Sequence, residues 1–122
     1  ALEILGNKRL VPVLLRFRND RTNRIRGNVL KALWTLGYRD IDEDLIKMLG
    51  NKDEFMQASA LWVISQTAIA KPAIVDAAGA LLVAENEMVL INARKALESM
   101  NDPRAKGYLT YLGSLSEAPK AA

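Results

Sequence analysis

The chain matches itself when slid along its own length, and that periodicity restricts its fold more than any single motif does. A shift of 31 residues sets Ala1-Leu2-Glu3-Ile4-Leu5-Gly6 over Ala32-Leu33-Trp34-Thr35-Leu36-Gly37. The same shift lays Leu10, Leu14, Leu15 and Phe17 over Ile41, Leu45, Ile46 and Met48. A shift of 30 brings Phe55, Ser59, Ala60 and Val63 over Ile25, Val29, Leu30 and Leu33. At 64, Val89, Ala93, Ala96, Leu97 and Met100 fall over Ile25, Val29, Ala32, Leu33 and Leu36. At 95, Ala105, Leu109 and Leu112 fall over Leu10, Leu14 and Phe17. Units of this length cannot bury an apolar face alone, so they stack, each covering its neighbour.

Within a unit the apolar residues keep helical spacing. Ile25, Val29, Leu33 and Leu36 stand at i, i+4, i+8 and i+11, the stripe of a helix with one face in a core. Leu10, Leu14 and Phe17 repeat that stripe one helix earlier, and strand-like alternation is absent throughout. Punctuation agrees with the periodicity. Asn101-Asp102-Pro103 offers a carboxylate cap followed by proline at the first helical position. Asn7 takes the equivalent place before Lys8, and Asp40 with Glu43 spells a capping box. Gly6, Gly37 and Gly50 sit where helices should stop. The third unit needs about three extra residues between Ser65 and Ile74, which predicts a lengthened turn around 67–71.

These signals predict an all-α chain with helices near 8–19, 24–36, 41–49, 54–66, 72–84, 87–99 and 103–113, paired antiparallel and stacked as a short α-solenoid. The stacked units would occupy residues 1–113, and 114–122 would form a flexible tail.

Composition sets limits on function. The chain has neither cysteine nor histidine, which excludes disulfides, zinc held by thiolate or imidazole, cysteine nucleophiles and serine–histidine triads. No catalytic residue, metal site or cofactor is therefore expected. Apolar residues make up 50% of the chain, enough for a continuous core. The longest apolar run, 77–84, falls far short of the roughly 18 residues needed to span a bilayer. Residues 1–6 lack the basic leader and hydrophobic block of a signal peptide, so a cytoplasmic setting is expected.

Ile25-Arg26, Val29-Leu30, Ala32-Leu33 and Leu36-Gly37 resemble the second helix of HEAT-like repeats of the phycobilin-lyase type. Asn101-Asp102-Pro103-Arg104-Ala105 is similar to the turn that opens the next unit in that family, as is Asn7-Lys8-Arg9-Leu10-Val11-Pro12. The resemblance covers residues 1–113 and implies a right-handed, armadillo-like superhelix. It also implies work as a scaffold or adaptor for a protein partner, with nucleic-acid binding or a bilin-lyase subunit as alternatives. Met56 and Leu90 depart from the pattern at the position of Arg26. The chain begins inside a unit and lacks an initiator methionine. The expectation is thus a fragment of a larger protein, its first helix pair exposing an apolar flank.

Two surfaces stand out as candidate binding sites. The first follows from charge. Residues 1–39 carry nine basic and two acidic residues, a net +7, whereas 40–122 carry eight and twelve, a net −4. Arg16, Arg18, Arg21, Arg24 and Arg26 form a basic ridge across one turn, suited to an acidic protein or a phosphate backbone. The second follows from the resemblance, in which second helices line the concave side. Helical spacing there puts Arg24, Asn28, Lys31 and Thr35 on the outward stripe, followed by Glu54, Ala58, Leu61 and Ser65 and then Met88, Asn92, Lys95 and Ser99. Such a floor could accept a peptide or a helix. Trp34 and Trp62 adjoin core positions and are expected to pack there. The acidic run Asp40, Asp42, Glu43 and Asp44 is expected to complement a helix dipole, because Leu45 stands where a calcium loop needs glycine.

Overall fold

The computed structural model describes residues 8–116, and within them the chain is helical without a strand. A 3-10 turn, Lys8–Leu10, leads into α1 (Val11–Leu15). There follow α2 (Asn23–Thr35), α3 (Asp42–Leu49), α4 (Glu54–Thr67), α5 (Pro72–Gly79), α6 (Glu87–Met100) and α7 (Pro103–Ser116). A second 3-10 turn, Ala80–Val83, prolongs α5. Six of the helices fall where spacing predicts them, and α7 runs on through Ser116 rather than stopping at 113. The first does not: a helix expected over 8–19 amounts to one tight turn and five α-helical residues. The ladder gives way at Arg16 and Phe17, whose N–H groups bond three residues back to Val13 and Leu14 at 3.1 and 2.9 Å.

Packing divides the helices into two layers. Helices α2, α4 and α6 lie side by side in one; α3, α5 and α7 do so in the other; across the layers α3 packs on α4, and α6 packs on both α5 and α7. The core runs unbroken between the layers. Leu33, Val63 and Leu97, equivalent by the repeat, are all buried, as are Leu30 and Ala60 three residues before the first two. Leu2, the first member of that series, lies outside the described residues. Equivalence weakens towards α1. Leu10 and Phe17 are 47% and 46% exposed, whereas their counterparts Ile41 and Met48 are fully buried. The reason is coverage: α1 packs chiefly on α2, whereas α3 has partners in both layers.

Helix ends show which polar groups fix the turns. Asp102 accepts the N–H groups of Arg104 and Ala105 at 2.9 and 3.2 Å, with Pro103 at the first position of α7. Asp53 and Asn86 cap α4 and α6 in the same way. Asp40 does not cap α3; the helix starts behind Ile41, and the Asp40 carbonyl instead accepts from Arg18 Nη2 at 2.8 Å. Asn7 and Gly6 lie outside the described residues. Gly37 adopts the left-handed conformation at φ +94°, but Gly50 does not. Among the described residues, two other than glycine do so, Asn101 at φ 49° and Ala68 at φ 56°.

Ala68 opens the lengthened turn, four residues between α4 and α5, which Ile69 pins into the core. An alanine in this conformation carries about 1–2 kcal/mol of strain. Glycine escapes that strain but gives back part of the gain through a freer unfolded chain. Ala68→Gly is expected to stabilise the fold by about 0.5–1 kcal/mol. Denaturant unfolding checks this, and a lower midpoint would contradict the strain.

Candidate binding groove

The layer formed by α2, α4 and α6 presents a groove of about 600 Å³ that crosses all three helices near their N-terminal halves. Its centre is deep because the residues there are small: Gly27 from α2, with Ala58 and Ser59 from α4. Large side chains wall it, with Arg24 on one side, Phe55 and Trp62 along α4, and Met88 on α6. A methyl group on Gly27 would lie 3.5 Å from Ser59 Cβ and 3.7 Å from Val63 Cγ2, so α2 and α4 meet here at ordinary packing distance. Asn23 Nδ2 donates to Ser59 Oγ at 2.8 Å and ties the two helices together at the groove edge. Phe55 is 62% exposed, although its size and apolarity suit a core. Trp62 is half-buried, packed against the core while also lining the groove, with Lys31 Nζ 5.2 Å from the ring centre.

Several expected floor residues meet here and others do not. Arg24, Asn28, Met88 and Asn92 line the groove, and Lys31 stands at its border over Trp62. Leu61 is fully buried, so it is not part of the floor, and Trp62 takes the place it was expected to fill. The stripe that α4 turns outward is Phe55, Ala58, Ser59 and Trp62, at i, i+3, i+4 and i+7. Carrying the α2 stripe onto α4 by a fixed shift misses it by one residue, a rotation of about 100° about the helix axis. Thr35, Ser65 and Ser99 are equivalent by the repeat, and each spends its hydroxyl on its own helix. They donate to the carbonyls of Lys31, Trp62 and Ala96 at 2.9, 2.6 and 2.6 Å. Lys95 is exposed outside the lining.

The five arginines of the expected ridge separate. Arg16 and Arg21 are exposed, and Arg24 joins the groove. Arg26 is half-buried, its Nε without a hydrogen-bond partner among the described residues. Arg18 turns inward. Its guanidinium pairs with both oxygens of Asp44, which is 7% exposed, and donates from Nη1 to Tyr38 Oη at 3.2 Å. The hydrogen bonds to Asp44 hold the Arg18 guanidinium above its ordinary pKa, so this cation stays charged and internal. The acidic run is committed as well: Asp44 to Arg18, and Asp42 to Lys71 at the start of α5. Trp34 packs against the core as expected, with Arg39 stacked on its exposed side at 4.0 Å.

On the opposite layer, Tyr108 donates to Asp76 Oδ1 at 2.7 Å, and Arg104 Nε approaches the same oxygen at 3.5 Å. The hydrogen bond to Asp76 raises the Tyr108 pKa above 10. A hydroxyl whose pKa is raised by folding adds stability that is intact below the unfolded value and disappears as pH climbs through the folded one. Wild type should therefore lose its stability advantage over Tyr108→Phe above about pH 10. Paired thermal melts from pH 8 to 11 check this, and an unchanging gap between the two proteins would contradict it.

No family model matches the chain, and no curated protein matches it either. The likeness to HEAT-like repeats rests on the residues quoted above.

Proposed function

We propose that this chain is a non-catalytic protein–protein interaction module, a right-handed α-solenoid of HEAT-like repeats that offers the α2/α4/α6 groove to a partner protein. The observation that carries this reading is the groove's make-up. Small residues at the centre open a channel of about 600 Å³, and Phe55 at its wall keeps 62% of its surface in water. A folded chain gains nothing from that exposure, whereas a partner that covers the ring gains apolar burial. The two-layer packing fits a solenoid, in which each unit is held rigid by its neighbours. Scaffold and adaptor roles in the cytoplasm accord with a chain that has no cysteine.

The test is a plug in the channel. Ala58→Arg places a long charged side chain on the groove floor, at a partly exposed position from which it can extend into the channel. Partners captured by the wild-type chain should be lost on Ala58→Arg at an unchanged melting temperature. Capture that survives the plug moves the interaction to another surface. A second reading, phosphate or nucleic-acid binding, draws on the exposed cations Arg16, Arg21 and Arg24. It requires retention of duplex or single strands at low salt, with a steep loss as salt rises.

A further inference from the structure

We infer that the groove takes an acidic peptide segment, laid across α2, α4 and α6, with one aromatic or branched apolar side chain seated between Phe55 and Trp62 and its carboxylates on the α2 side. The inference rests on the groove being the binding surface, and it names the chemistry of the occupant.

The charge across the groove is one-sided. Over its thirteen residues α2 carries Arg24, Arg26 and Lys31 and no acidic residue. Arg24 faces the channel, Lys31 sits over the Trp62 ring, and Arg21 is exposed two residues ahead of the helix. The floor along α4 is neutral: Phe55, Ala58, Ser59 and Trp62. The far wall is neutral too, since α6 contributes Met88 and Asn92. An occupant that matches this pattern has anionic groups along one edge and apolar groups over its middle. Cations in the first turn of α2 also oppose the helix dipole, and the neighbouring Asp20 bonds the Thr22 N–H ahead of the helix rather than a group within it, so further carboxylates there would relieve an unfavourable arrangement. By contrast, α4 and α6 open with Glu54 and Glu87 behind the caps Asp53 and Asn86.

Dimensions favour a short segment. Packed helix axes lie about 8–10 Å apart, so three helices span roughly 16–20 Å, the length of about six extended residues. A nucleic-acid strand fits less well. Its charge is uniform along the backbone, so it could not avoid Glu54 beside Phe55 and Glu87 beside Met88. Trp62 packs against the core and Lys31 lies over its ring, so of the two aromatic residues that line the groove Phe55 is the one open for stacking.

The test is selection from a phage-displayed library of random dodecapeptides against the full chain. The expected result is enrichment of sequences that set Asp or Glu beside a Phe, Trp, Leu or Ile. Their affinity should fall about tenfold on Arg24→Glu, which reverses a charge at the rim. Ala58→Arg should abolish it, and Phe55→Ala, at an exposed site with no role in the core, should weaken it if the plugged variant melts early. Enrichment of neutral or basic peptides that Ala58→Arg still blocks would overturn the acidic occupant and leave the groove standing. Peptides indifferent to Ala58→Arg and Phe55→Ala, or no enrichment, would overturn both. Binding of a ten-nucleotide oligothymidylate at comparable affinity, lost on Ala58→Arg, would overturn the peptide in favour of a nucleic acid.

Discussion

Arg18→Ala is expected to destabilise the fold by about 3 kcal/mol, the low end for breaking a buried ion pair. The low end applies because Arg18 keeps 24% of its side chain in water, whereas Asp44 keeps only 10%. Most of the loss comes from Asp44, left charged inside the protein without its two guanidinium bonds. The remainder comes from Tyr38 Oη and the Asp40 carbonyl, both of which lose a donor. For a domain near this size the change corresponds to a melting temperature lower by roughly 10–15 °C. Arg18→Lys should fall between, since an ammonium keeps the charge but not the fork. Pairing Arg18→Ala with Asp44→Ala should recover part of the loss, because the stranded charge is then gone. Thermal melts of the four proteins decide the matter, and a shift below about 3 °C for Arg18→Ala would place the pair among weak surface contacts.

Two glycines should respond to the same substitution with opposite signs. A methyl group on Gly79 would lie 2.6 Å from Tyr108 Cδ1 and 2.7 Å from Cε1 and Cγ. Real carbons do not approach so closely, and the ring cannot swing away cheaply because its hydroxyl is held by Asp76 at 2.7 Å. Gly79→Ala is therefore expected to cost about 1–3 kcal/mol as overpacking between α5 and α7. At Gly27 the nearest atom would be 3.5 Å away, an ordinary contact. There the helix-forming advantage of alanine prevails, and Gly27→Ala should add about 0.5–1 kcal/mol. Denaturant midpoints for both variants supply the check, and Tyr108→Ala should rescue Gly79→Ala if the ring is the obstacle. Equal responses at the two sites would mean that helix propensity alone governs them.

Helix number, type and most boundaries were legible in the sequence because apolar spacing and end signals agreed. Asp102 before Pro103 caps its helix through its side chain, and Leu33, Val63 and Leu97 share one buried environment. Surface assignments fared unevenly, for physical reasons. A repeat shift transfers position along a helix but not rotation about it, so the floor position that the shift assigns to Leu61 belongs to Trp62. The α4 stripe was nonetheless written in the spacing of Phe55, Ala58, Ser59 and Trp62. Arg18 misled because its partner, Asp44, lies 26 residues away and only folding brings the two together. The capping box at Asp40 failed for a related reason, since its carbonyl serves Arg18 from outside the helix. Ala68 gave no signal, as alanine rarely marks a left-handed helix end.

The channel takes its walls from three consecutive hairpins, and no one of them holds enough of it to grip anything. Whatever settles there would act as a strap around the stack, coupling occupancy to cohesion between units. Saturating ligand at a hundred times its dissociation constant would add about 2.7 kcal/mol to unfolding. Loosening any of the three hairpins would weaken the grip of the other two.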